Sequence, residues 1–334
     1  MTPLDDLDPP SFQFGRGRRE KDPDEPLEEQ VDPDEEPPLE DERDVPEPVV
    51  MEGGEGEPEK PRRRFRFPFN LSETQSRVLV AIPWVVFAIV IVAVGGATFT
   101  LAIIGLAILG LREFFRMTAA ARPLMLPAYL TVAAMILAAH YGSAFQILLF
   151  IAASFPAMFV FAAARESHER ITVSIAVTLL GIAWLGLGFS HAVLLRDLPD
   201  HGGALLIDVL VATFLGDTAA YGAGRLFGSR KITPRISPDK TLEGGIGGFL
   251  GATMGFWFAG LYQDWLPGID ALLMGMCIAV VAPLGDLFAS MIKRDLGVKD
   301  TGSLFGPHGG LIDRLDAVIF TVVAGYYLSV AFVY

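Results

Sequence analysis

The sequence predicts an all-α polytopic membrane protein of about nine transmembrane helices behind a disordered acidic N-terminal tail. Three observations predict it. Hydrophobic residues make up 51% of the 334, and mean hydropathy is +0.44, too apolar for an ordinary soluble chain. Apolar runs of bilayer-spanning length recur from residue 78 to the end. Charge is segregated: residues 1–70 hold 22 of the 39 Asp and Glu but only 10 of the 26 Lys and Arg, so the net charge of −13 belongs almost wholly to the tail.

Residues 1–60 are rich in Pro, Asp and Glu and too poor in apolar residues to offset the entropy of folding. They lack the basic start and apolar core of a signal peptide. The sign flips in the juxtamembrane segment 61–76, where Arg62, Arg63, Arg64 and Arg66 alternate with Phe65 and Phe67. That pattern suits an anionic cytoplasmic leaflet, and equally an ordinary flank of a first span.

A membrane domain, 77–334, follows. Its expected spans are 78–94, 96–111, 124–140, 143–163, 171–195, 203–224, 244–263, 269–292 and 313–333. Gly95-Gly96 is the weakest boundary. With the N-terminus cytoplasmic, the inside loops carry Arg112, Arg116, Arg122, Arg165, Arg170, Arg225, Arg230, Lys231, Arg235, Lys240, Lys293, Arg294 and Lys299, and the outside loops only Arg196. The positive-inside rule requires this asymmetry, and an odd error in the span count would scramble it. The C-terminus is then outside. "GGIGGFLG" (Gly244–Gly251) lacks the Lys-Ser/Thr ending of a phosphate loop and reads as a close helix-packing seam. The single cysteine, Cys277, excludes an intrachain disulfide and reads as a small buried hydrophobe.

The chemistry sits in the last third, 204–334. In "GDTAAYGAGRLFG", Asp217, Tyr221, Gly224 and Arg225 share a helix face. In "GDLFASMIKRD", Asp286, Ser290, Lys293 and Arg294 repeat those offsets. Asp313 and Asp316 flank Arg314 at the start of the last span. Aspartates at membrane depth must be paired, solvated or metal-bound. They could be ion pairs, Asp286 with Arg314 or Asp217 with Arg225. Three converging stripes on one side point instead to a site. Carboxylates favour a hard cation such as Mg²⁺, and the neighbouring Lys and Arg suit an anion arriving with it, such as a nucleotide polyphosphate. In the linker "RKITPRISPDKTLEGG", Ser237, Lys240 and Thr241 can bind phosphate oxygens, and Thr241 can also cap the next helix. His308, beside Gly309 and Gly310, could be a proton donor, a phosphate ligand or a structural donor. His140, His168, His191 and His201 lack carboxylate clusters and read as structural.

The stretch "SMIKRDLGVKDTGSLFGPHGGLIDRLD" (Ser290–Asp316) closely resembles the signature of phosphatidate cytidylyltransferases, the CDP-diacylglycerol synthases. "GDTAAYGAGRLFG" and "SPDKTLEG" are also similar to family segments, although Asp239 stands where the family commonly has Lys. The resemblance covers roughly 77–334. It implies transfer of CMP from CTP to phosphatidate, giving CDP-diacylglycerol and pyrophosphate, with Mg²⁺ and a second, monovalent cation such as K⁺. It makes Asp286 and Asp313 the first metal ligands expected, with Asp217 and Asp316 next. Lys240, Lys293, Arg294, Lys299 and Arg314 would hold the triphosphate and the lipid phosphate, joined by Ser237, Thr241, Ser290 and Arg225, with His308 among the catalytic candidates. The expected partners are CTP, phosphatidate and membrane lipids, with no nucleic acid and a homodimer left open. The expected place is the plasma membrane, with the active site on the cytoplasmic side. A transporter would spread its polar residues across the bilayer; these cluster on one side.

Overall fold

A computed structural model describes residues 86–166, 169–234, 236–302 and 309–334. The expected tail (1–60), the basic segment (61–76), His168 and His308 lie outside the described residues. After a helical stretch over 86–94, eight α-helices follow: α1 Gly96–Met117, α2 Met125–Tyr141, α3 Ala144–Ala163, α4 Ile171–Arg196, α5 Gly202–Phe227, α6 Leu242–Ala259, α7 Gly268–Asp295 and α8 Ile312–Phe332. Each of the eight later expected spans overlaps one of these helices, several of which run a few residues past the expected bounds. Their edges follow the sequence because an apolar run stops where polar residues can reach water.

Among the described residues, six helices are long and apolar enough to cross a membrane: α1, α3, α4, α5, α7 and α8. α2 has 17 residues and α6 has 18. Phe145, Leu148, Phe159 and Val160 on α3 are each more than 60% exposed. So much apolar surface is untenable in water and is the lipid face of a multi-pass membrane protein. Cys277 belongs to that face: it is exposed on α7, not buried as the sequence suggested.

The helices alternate in direction, and side-chain contacts tie their ends into two layers. At one end, Arg165 of the α3–α4 turn donates to the carbonyls of Arg122 and Pro123 before α2. At the other end, Arg196 Nε donates to the Val92 carbonyl at 2.6 Å, and His140 Nδ1 meets Asp197 Oδ2 at 2.5 Å. α4 runs through the core, with a π turn at Ile182–Gly186 and Ile182, Leu185, Val193 and Leu195 fully buried.

Two helix crossings position the site. α6 lies against α5 along its glycines: a Cβ at Gly247 would stand 2.4 Å from Ala223 Cβ, and one at Gly251 2.5 Å from Ala219 Cβ. This is the small-residue seam that the sequence indicated. α7 crosses α8 at Gly285, where a Cβ would lie 2.5 Å from the Asp316 carbonyl oxygen. Only glycine permits that approach, and it places the next residue, Asp286, beside Asp316. One element departs from an all-α reading. The linker before α6 folds into an antiparallel hairpin of β1 (Lys231–Thr233) and β2 (Ser237–Thr241).

Candidate active site at the charged end of the bundle

α5, the hairpin, α6 and α7 enclose a cavity of about 540 Å³. The whole expected stripe of α5, Asp217, Tyr221, Gly224 and Arg225, lines it, because positions i, i+4, i+7 and i+8 share one helical face. Ser237, Asp239, Lys240 and Thr241 enter from β2, and Asp286 enters from α7. Thr241 caps α6: its Oγ1 accepts the Gly244 N–H at 3.1 Å. Thr241 is thus the helix cap that the sequence foresaw, and it also lines the cavity.

The charges are partly paired. Lys240 Nζ lies 2.8 Å from Asp286 Oδ2, and Ser290 Oγ donates to Asp286 Oδ1 at 3.3 Å. The fold pairs these residues differently from the ion pairs that the sequence left open, Asp286 with Arg314 and Asp217 with Arg225: Lys240 takes Asp286, and Arg225 Nη1 donates to Tyr221 Oη at 3.0 Å. Asp217, Asp286 and Asp316 stand within electrostatic reach of one another, each carboxylate repelled by the other two. Like charges gathered at one place are costly without a compensating cation.

Asp313 sits in a tighter clasp. Its Oδ1 receives Lys293 Nζ at 2.8 Å. Its Oδ2 accepts from Thr301 N at 2.8 Å, Thr301 Oγ1 at 2.9 Å and Gly310 N at 2.9 Å. Among the described residues, no three Asp, Glu, His or Cys side chains form a ready metal cage. Of the four aspartates expected to share metal, Asp217 and Asp286 line the cavity, Asp316 lies within electrostatic reach of both, and Asp313 is held by Lys293 and the loop.

Other expected residues are placed less centrally. Arg294 Nε donates to the Ile236 carbonyl at 3.3 Å, tying α7 to the hairpin turn. Lys299 is exposed in the loop after α7, and Arg314 is exposed in the first turn of α8. Three of the remaining histidines are structural: His140 pairs with Asp197, His191 Nδ1 meets the Leu187 carbonyl at 2.8 Å, and His201 stacks on Trp265 with ring centroids 4.0 Å apart. Glu243, in the first turn of α6, accepts from Ser229 Oγ at 2.5 Å and Ser229 N at 3.0 Å. Those bonds, the Ser229 hydroxyl first, pull its carboxyl down to about 2. Sequence reasoning missed Glu113, Thr301 and Glu243. For Glu113 there was a signal, an acid between Arg112 and Arg116 at the end of an apolar run.

The model of the cytidylyltransferase family matches residues 75–332. The uncharacterized protein YnbB of Escherichia coli is 44% identical over 142 residues, 41% of this chain and 48% of that protein. The phosphatidate cytidylyltransferase of Bacillus subtilis is 35% identical over 157 residues, 47% of this chain and 58% of its own length. That of Staphylococcus haemolyticus is 30% identical over 257 residues, 74% of this chain and 95% of its own length. The matched stretch thus spans about half the length of the first two relatives and nearly all of the third.

Proposed function

The chain belongs to the cytidylyltransferase family, and from that premise we propose that it transfers CMP from CTP to phosphatidate, releasing pyrophosphate and forming CDP-diacylglycerol. The observation that carries this reading is the convergence of Asp217, Asp286 and Lys240 on one cavity, with Asp316 alongside. A phosphate oxygen of the lipid attacks the α-phosphorus of CTP. The bond from that phosphorus to the bridging oxygen of the β-phosphate breaks, and pyrophosphate leaves with the electron pair. Little covalent work falls to the protein, so positioning and charge neutralisation carry the rate.

Arg225, Ser237, Lys240 and Thr241, all lining the cavity, bind the triphosphate. Lys293, Arg294, Lys299 and Arg314, outside the cavity lining, serve the lipid phosphate, and Ser290 orients Asp286. His308 is kept as a catalytic candidate on its sequence context. The all-oxygen donor set fits Mg²⁺, which needs only one or two carboxylates when phosphates complete its shell. Asp286, Asp217 and Asp316 would hold it, with Asp313 the fourth candidate and a monovalent cation such as K⁺ beside it. Bound there, Mg²⁺ would supply positive charge to the phosphates. Lys240 and Lys293, which neutralise Asp286 and Asp313, are then the groups free to turn to those phosphates.

The same reading gives nine spans, with the N-terminus and the cleft facing the cytoplasm, the C-terminus outside and the plasma membrane as the site of action. The support is the crowding of Lys and Arg at the cleft end, against Arg196 at the other. The test is purified protein with radiolabelled CTP, Mg²⁺ and defined lipid phosphates. CDP-diacylglycerol should form with phosphatidate. Product with isoprenoid phosphates alone, or none at all, would overturn the assignment.

A further inference from the structure

We infer that Glu113, on α1 and far in sequence from every signature residue, is a positioning residue for the site: it caps α8 from outside the helix and so fixes the turn that carries Asp313 and Asp316. The inference rests on the proposed function for the reaction it serves, but its geometry stands by itself.

α8 begins at Ile312, and the residue in the cap position, Leu311, has no side-chain acceptor for the orphaned N–H groups of the first turn. Glu113 supplies one. Its Oε2 accepts the Ile312 N–H at 3.1 Å, and the side chain is only 6% exposed. A carboxylate at that position also meets the positive end of the helix dipole. The same oxygen lies 3.4 Å from Thr301 Oγ1. That hydroxyl has one proton, and the shorter 2.9 Å bond gives it to Asp313 Oδ2. Glu113, Thr301 and Asp313 therefore form a continuous row from α1 through the loop to α8.

The glycines agree. A Cβ at Gly302 would lie 2.8 Å from Glu113 Oε1, and one at Gly310 would lie 2.5 Å from Oε2 and 2.3 Å from Thr301 Oγ1. A side chain at either glycine would have to displace the Glu113 carboxylate, and at Gly310 the Thr301 hydroxyl as well. The second glycine of "HGG" is explained by Glu113 as well as by any anion. A buried acid that merely satisfied itself would not need two strands of loop backbone wrapped onto it. These are the loop that holds Asp313 and the helix turn that carries it.

The experiment compares Glu113→Ala, Glu113→Gln and Glu113→Asp with wild type in the full-length protein, with rates normalised to folded protein. Glu113→Gln keeps an acceptor oxygen and should stay within about fivefold of wild-type kcat. Glu113→Ala should lose about 30-fold in kcat with KM for CTP within about threefold, and Glu113→Asp should fall between. Amide hydrogen exchange over 309–316 should speed up at least tenfold in Glu113→Ala and not in Glu113→Gln, with the α5–α6 seam unchanged. A purely structural residue would lower the folded amount and leave kcat per folded molecule intact. That result, a Gln variant as damaged as the Ala variant, or unchanged exchange over 309–316 would each overturn the inference. If Glu113→Ala does not fold, a Glu113→Asp protein with wild-type kcat overturns it. A wild-type protein without cytidylyl transfer would sink the proposed function instead, while the exchange comparison still decides whether Glu113 holds this turn.

Discussion

The two ends of the helix bundle carry polar residues of similar kinds and use them differently. At the end away from the cavity, each group finds a local partner: His140 with Asp197, Arg196 with the Val92 carbonyl, Gln263 Nε2 with Asp208, and Tyr334 Oη with the Pro199 carbonyl. These contacts clip neighbouring helix ends together. At the cavity end, the Asp217, Asp286 and Asp316 carboxylates lie within electrostatic reach of one another, and two lysines neutralise Asp286 and Asp313. Polarity at a membrane boundary is therefore no sign of function by itself. Convergence of like charges beside a cavity marks a candidate site, because an added cation would relieve their repulsion.

The sharpest way to break this contrast is Asp286→Asn. It keeps the shape and removes the charge at the centre of the group, and should lower cytidylyl transfer by at least ~10³-fold, about 4 kcal/mol of transition-state stabilisation. Initial rates at equal folded amounts measure it, and near-wild-type activity at ordinary Mg²⁺ would mean that the cluster is only structural. Lys240→Ala should cost less, roughly 30-fold or about 2 kcal/mol, because Arg225 and the β2 hydroxyls remain. A rise in KM for CTP would mark it as a triphosphate contact.

At the opposite end, His140→Ala should leave kcat within about twofold. The partly exposed pair with Asp197 is worth roughly 1 kcal/mol of stability or less, which thermal unfolding in detergent would register. A large loss of activity there would erase the distinction between the ends. The smallest effect concerns Glu243. Its folded carboxyl titrates near 2, below the 4.5 of a free glutamate. The contribution is thus complete above pH ~4.5 and is lost as pH falls through about 2. Exchange at the Ser229 and Arg230 amides should therefore stay slow down to pH ~4 once corrected for intrinsic rates. Loosening already at pH 6 would contradict the hydrogen bonds to Glu243.

The sequence made the helices legible because span length is set by the bilayer, and the α5 stripe because helical periodicity is local. Gly244–Gly251 was readable as a seam for the same reason: consecutive small residues imply close approach whatever the partner. What escaped depends on partners distant in the chain. Nothing near Glu113 announces Ile312, almost 200 positions later. The hairpin was read as a polar linker because its two strands, Lys231–Thr233 and Ser237–Thr241, are very short and the second is polar and carries Pro238. Cys277 was misjudged because in a membrane the outside of a helix is as apolar as its inside, so an apolar residue carries no signal about which way it faces.

The length of α7 has a further consequence. Asp286 lies 18 residues beyond Gly268, about 27 Å along a helix rising 1.5 Å per residue, against roughly 30 Å of hydrocarbon. Lys293 and Arg294 stand about 10 Å beyond that along the helix. The helix thus works as a depth gauge. On the proposed topology, with Gly268 at the opposite boundary, it holds Asp286 at the floor of the layer where lipid phosphates reside, and Lys293 and Arg294 within it. A lipid phosphate substrate of the proposed reaction would then reach the site by lateral diffusion alone, and an insertion of one helical turn between Gly268 and Asp286 would shift the site by about 5.4 Å relative to that plane.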